Sequence, residues 1–137
     1  MSEGASVRLD HLGIAVQDLA AAQTKWRPLL GAEPSAPELV PSNRVWVTFL
    51  DVGGTHIELL QPSEPDSPVA KFLASRGEGM HHIAFHVPSV DRALQELERR
   101  GERVVDHAAR PGARGRRVGF AHPAAFGGVL VEFVEGP

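Results

Sequence analysis

Apolar positions along the chain come in short runs broken by Gly, Pro and Asp, and the runs repeat in the same order. From Val7 to Val16 (VRLDHLGIAV) apolar and β-branched content predicts a buried strand, stopped at Gln17-Asp18, where Asp18 can cap a helix. LAAAQTKWRPLLG then reads as a short helix ending near Gly31, with Pro28 expected to tighten it or end it early. After the Pro-rich EPSAPELVPS come RVWVTFLDV and THIELLQP, two strands joined by a hairpin at Gly53-Gly54. This stretch makes a β-α-β-β-β string.

SEPDSPVAKFLASRGEG predicts a short helix leading into the strand HHIAFHV. Ser89 or Asp91 can cap VDRALQELERR, whose Val90, Ala93, Leu94 and Leu97 fall at helical spacing before the stop at Gly101. Three strand-like runs follow, ERVVDHA, RRVGFAHP and GVLVEFV, so the string is written twice. Aligning HLGIAVQDLAAA, from His11, on HIAFHVPSVDRA, from His82, superposes strand, turn and helix start without a gap. One domain over 7–137 is expected, built from repeats of about 7–63 and 79–135.

Composition narrows the chemistry. With 137 residues, 42% hydrophobic and 23% charged, the chain is of a size for one compact core. A net charge of −3 argues against bulk nucleic-acid binding, although Arg110 to Arg117 (RPGARGRR) is locally basic. Without cysteine, any metal must be held by nitrogen and oxygen. The N-terminal MSEGASVRLD has no apolar core of signal-peptide length, and no run approaches the roughly 20 apolar residues of a membrane span. A cytoplasmic protein without membrane contact is the expectation.

Strand parity divides the histidines. His11, Gly13 and Ala15 share one face; His82, Ala84 and His86 share the matching face of the other half, against His81, Ile83, Phe85 and Val87. Glu58 stands between Ile57 and Leu59, and Glu132 between Val131 and Phe133, so that both carboxylates point away from their bulky neighbours. A mid-strand glutamate in such company is costly to bury unless it is paired or binds a cation. Each of these four, alone, reads as well as a packed histidine or a solvent-facing glutamate; their duplication points to one shared role. His81 is expected to pack on the helix side, His86 to be a hydrogen-bonded neighbour of the cavity, and His122 to belong to a turn. His56 and His107 follow no pattern.

Two tandem βαβββ units with His and Glu on their first and last strands resemble the vicinal oxygen chelate superfamily, the glyoxalase/bleomycin-resistance fold. More narrowly, LDHLGIAVQDL, IELLQP with DSPVAKFL, GEGMHHIAFHV, ERRG and RVGFAHP…GGVLVEFVE resemble the methylmalonyl-CoA epimerases. The resemblance implies an α+β fold, a curled, cup-shaped mixed sheet around one divalent metal ion (Co, Mn, Ni, Fe or Zn). It implies His11, His82 and Glu132 as ligands, with Glu58 as a fourth. It implies an isomerase that inverts C2 of methylmalonyl-CoA, with Glu132 as one acid/base. Some relatives place the other on the third strand, where this chain has Val47, which leaves Glu58 as the nearest replacement. The acyl-CoA phosphates need cationic partners, for which Arg110, Arg114, Arg116 and Arg117 offer themselves, with His122 touching substrate. A homodimer is expected. The fold also houses lactoylglutathione lyases, extradiol dioxygenases and drug-sequestering proteins. The short chain and the pieces GMHHIAF and HP…GGVLVE favour the epimerases among the enzymes, and the four filled cage positions count against a drug-sequestering protein.

Overall fold

The computed structural model describes residues 7–137; residues 1–6, most of the stretch read above for a signal core, lie outside the described residues. The described chain forms two compact units, His11–His81 and a second comprising residues 7–10 with His82–Pro137.

The first unit contains most of β1 (Arg8–Ala15), then α1 (Leu19–Leu30), β2 (Glu38–Val40), β3 (Val45–Val52), β4 (Thr55–Pro62) and α2 (Pro68–Arg76). Its strands lie in the order β2-β3-β4-β1, with β1 parallel to β4 and the other pairs antiparallel. β2 falls inside the Pro-rich stretch. Gly53 and Gly54, with φ of 63° and 96°, make the two-residue turn between Val52 and Thr55, a conformation that residues with a Cβ adopt at a penalty. Ile14, Val16, Leu50 and Leu59 project from one sheet face and pack with Leu19 and Ala22 of α1. Asp18 caps α1 by accepting from the Ala21 N–H, and Gln61 accepts from the Leu19 N–H at 2.7 Å.

The helix α1 ends next to Gly31, as the sequence predicts, and Pro28 does not end it early, one of the two effects expected of that residue. Pro28 lies on the exposed side, three residues before the left-handed Gly31 that caps the helix. There it removes one backbone bond and its ring meets solvent, so the helix is carried by the buried face.

The second unit contains β5 (Gly79–His86) from His82 onward, α3 (Val90–Arg99), β6 (Arg110–Pro111), β7 (Arg117–Ala121) and β8 (Val131–Glu135), with short 3₁₀ turns at Ala113–Gly115 and Pro123–Phe126. The strand order β5-β8-β7-β6 repeats the first unit's, with β5 parallel to β8. The helix anchor repeats as well: Glu135 accepts from the Val90 N–H at 2.7 Å, as Gln61 does for Leu19. Each acceptor lies three residues beyond its half's glutamate. Ser89, one of the two residues read as caps, is the N-cap of α3.

ERVVDHA, expected as a strand, makes only an isolated bridge from Val104 to Ala121, and the edge strand is displaced to Arg110–Pro111. The reason is Asp106, whose carboxylate accepts the Phe120 N–H at 2.8 Å, a donor that a regular ladder would give to backbone.

Gly119 brings β7 against α3. A Cβ there would meet Val90 Cγ1 and Leu94 Cδ1 at 2.9 Å. Both neighbours are fully buried, so Gly119→Ala is expected to destabilise by about 1–3 kcal/mol through overpacking, read as a lower urea midpoint at unchanged slope.

Candidate metal centre

The ladders explain how each half brings its histidine to its glutamate. In the first unit Gly13, two residues after His11, pairs with Glu58, and Glu58 pairs across with Phe49. In the second, Ala84, two residues after His82, pairs with Glu132, and Glu132 with Phe120. On the side of the histidine-bearing strand the residue beside each carboxylate is small, Gly13 or Ala84, which leaves room above the sheet on the face shared with the histidine.

The side chains follow this register. His11 Nε2 lies 3.2 Å from Glu58 Oε1, and His82 Nε2 lies 3.1 Å from Glu132 Oε1. All four residues are buried, with relative exposures of 2% and 4% for the histidines and 6% and 5% for the glutamates. Four ionisable groups this deep in apolar strands call for charge compensation. The separations also suit a cation: two ligands at right angles on bonds of about 2.1 Å lie about 3.0 Å apart, and tetrahedral ones about 3.4 Å. Imidazole with carboxylate is a donor set for a divalent transition ion, so the residues present fit the implied metal.

Two aromatic neighbours were missed in the sequence. Phe49 meets the His11 ring edge to face, with centroids 5.7 Å apart and planes at 84°; Phe120 meets His82 at 5.6 Å and 82°. The signal was present, since phenylalanine follows histidine by 38 residues in each half (11 to 49, 82 to 120), but a lone Phe on a strand reads simply as core. Val47, where some relatives were expected to carry an acid, is 1% exposed on β3 beside Leu60. Its equivalent Val118 is buried too, so neither third strand supplies an acid at this level.

The remaining histidines separate. His81 packs edge to face on Phe72 of α2, centroids 5.0 Å apart. The His86 Nε2–H donates to the Gly136 carbonyl at 2.8 Å, and His122 Nδ1 accepts from the Ala124 N–H, capping a 3₁₀ turn. His107 is an exposed partner of Glu98. His56 sits beside His11 in the ladder, with Phe49 edge-on to its ring at 6.1 Å.

The arginines do not form one group. Arg116 is buried, 5% exposed, with NH1 and NH2 donating to the two Asp10 oxygens at 2.8 and 2.7 Å. This corrects its reading as a phosphate ligand, because both amino groups are engaged below the surface. Arg114, in the left-handed conformation at φ 59°, lies 3.7 Å from Asp10, and Arg117 is more than half exposed, 3.7 Å from Asp91. Arg110 bonds Asp106 at 2.9 Å and places its guanidinium 5.5 Å above the Phe120 ring.

Two duplicated His/Glu pairs on duplicated βαβββ ladders define a class, and the comparisons agree: residues 10–120 match the Glyoxalase/Bleomycin resistance protein/Dioxygenase superfamily, to which the chain belongs. Within it, the relatives include epimerases. The mitochondrial methylmalonyl-CoA epimerase of Bos taurus is 40% identical over 93% of this chain and 74% of its own length. The ethylmalonyl-CoA/methylmalonyl-CoA epimerase of Cereibacter sphaeroides is 42% identical over 93% of this chain and 97% of its own. Among solved structures, a variant of Streptomyces coelicolor methylmalonyl-CoA epimerase in complex with 2-nitronate-propionyl-CoA is similar at a TM-score of 0.88 and 38% identity, over 94% of each chain.

Proposed function

We propose that the chain is a metal-dependent methylmalonyl-CoA epimerase in which His11, His82, Glu132 and Glu58 hold one divalent ion. The observation that carries this reading is the buried His/Glu pair repeated in each unit, His11 with Glu58 at 3.2 Å and His82 with Glu132 at 3.1 Å, each offering an imidazole nitrogen beside a carboxylate oxygen. Identity over nearly the whole length of the Cereibacter sphaeroides and Streptomyces coelicolor enzymes supports the substrate. The ion is Co²⁺, Mn²⁺, Ni²⁺, Fe²⁺ or Zn²⁺, all of which accept this donor set.

When bound, the ion supplies Lewis acidity to a substrate oxygen on which negative charge develops. The chain's own residues move the proton. Inversion at C2 takes a proton from one face and returns one to the other, which requires two acid/base groups on opposite sides of the substrate plane. Glu132 is assigned to one face and Glu58, its counterpart in the repeat, to the other. The buried Val47 and Phe49 on one half, and Val118 and Phe120 on the other, keep the surroundings of the carboxylates apolar and hold water away from the carbanionic carbon. Arg114 and Arg117 are the surface cations assigned to the CoA phosphates, with His122 in the turn beyond β7. The working form on this reading is a cytoplasmic homodimer; no helix among the described residues is long and apolar enough to cross a membrane.

The test is proton exchange. Protein loaded with a divalent ion and incubated with (2R)- or (2S)-methylmalonyl-CoA in D₂O should incorporate deuterium at C2 and interconvert the epimers, both followed by NMR. Neither exchange nor inversion with metal bound rejects the reading.

A further inference from the structure

We propose that Phe49 and Phe120 are positioning residues for the imidazoles of His11 and His82, setting the strength of the metal site from outside its ligand set. The inference rests on the metal reading above and goes beyond its ligands. Three observations converge on it. Each ring stands nearly perpendicular to its imidazole, at 84° and 82°, with centroids 5.7 and 5.6 Å apart, the edge-to-face geometry that aromatic pairs favour. Each phenylalanine is also the cross-strand partner of its unit's glutamate, so one ring borders both members of a His/Glu pair. The arrangement occurs in each unit at the same sequence interval, which general core filling does not require.

An imidazole on a strand turns about its χ2 torsion, which is broad for a ring on a tetrahedral carbon. Orienting Nε2 toward a shared ion therefore needs a neighbour that blocks the other rotations. A perpendicular ring does so, and it also excludes water that would compete for the imidazole nitrogen. Outer-shell groups that orient a ligand by hydrogen bonding change metal affinity by about ten- to a hundredfold when altered, and the hydrophobic shell around a site controls solvent access to it. The rings are themselves fixed. Phe120 lies beneath the Arg110 guanidinium, 5.5 Å from its centroid, and Asp106 holds both Arg110 and the Phe120 N–H. Phe49 meets the His56 ring at 6.1 Å and 89° as well as His11.

The experiment compares metal affinity with stability. Phe49→Leu, Phe120→Leu and the closer-volume Phe49→Met and Phe120→Met are made beside Leu59→Val, a control on the helix-facing side of β4. Dissociation constants for Co²⁺ and Zn²⁺ are read by competition with a chromophoric chelator well below the thermal transition, and Tm is read on the metal-free proteins. At each of the two positions, the folded variants should bind the ion at least tenfold more weakly than the parent. Leu59→Val should lower Tm and leave affinity unchanged. Phenylalanine variants that lose Tm like the control yet bind as tightly as the parent overturn this inference alone. A parent that binds neither ion overturns it together with the metal reading.

Discussion

Glu132→Gln is expected to end epimerisation while leaving the fold intact. The substitution keeps side-chain volume and removes the charge and basicity of a residue 5% exposed and 3.1 Å from His82 Nε2. Loss of a positioned general base lowers a rate by about 10²- to 10⁴-fold. Loss of an anionic ligand weakens the metal site further, so metal content is measured alongside turnover. The two-base assignment adds a sharper expectation. With the site metal-saturated, Glu132→Gln should still exchange the C2 proton of the epimer that faces Glu58, and Glu58→Gln that of the epimer that faces Glu132, while neither variant inverts. Far-UV circular dichroism and the Tm of metal-free protein check folding. Inversion at the parental rate in metal-loaded Glu132→Gln would show that the base is elsewhere.

That both glutamates were legible in the sequence follows from the physics of strands. A period of two fixes the face of every side chain once the strand is recognised, so Ile57-Glu58-Leu59 and Val131-Glu132-Phe133 announce carboxylates on the face opposite the helix-packing residues. The gapless match between the His11 and His82 segments then fixed which histidine of GMHHIAFHV corresponds to His11. The 3.2 and 3.1 Å His/Glu approaches follow from the ladder register.

Other features depended on competition between local signals and tertiary contacts. Pro28 is a helix breaker by itself, but on an exposed face of α1 it is tolerated. Val104 and Val105 have strand propensity, yet the Asp106 side chain takes the Phe120 amide and moves the edge strand to Arg110. The basic run RPGARGRR looked uniform because a sequence does not say which cation is buried. Arg116 is the buried one, and its partner Asp10 is 106 residues away, a separation that no local pattern reveals.

That partnership carries the largest expected effect on stability. Asp10 and His11 are adjacent on β1 and point to opposite faces, so the bidentate contact to Arg116 fixes the strand one residue before the proposed ligand. Asp10→Asn keeps the shape and removes the charge, leaving a guanidinium 5% exposed whose Nε already has no hydrogen-bond partner among the described residues. An uncompensated buried charge destabilises by about 3–5 kcal/mol, whereas exposed ion pairs are worth about 0–1 kcal/mol. Urea unfolding of the metal-free protein should therefore show a loss of that size for Asp10→Asn. The double variant Asp10→Leu/Arg116→Met, which removes both charges and fills the space with apolar atoms, should recover most of it, because desolvation offsets much of what a buried pair gains. Losing less than about 1 kcal/mol in Asp10→Asn would mean that Arg116 finds water once its carboxylate is gone, and that the strand before His11 is held by its ladder bonds instead.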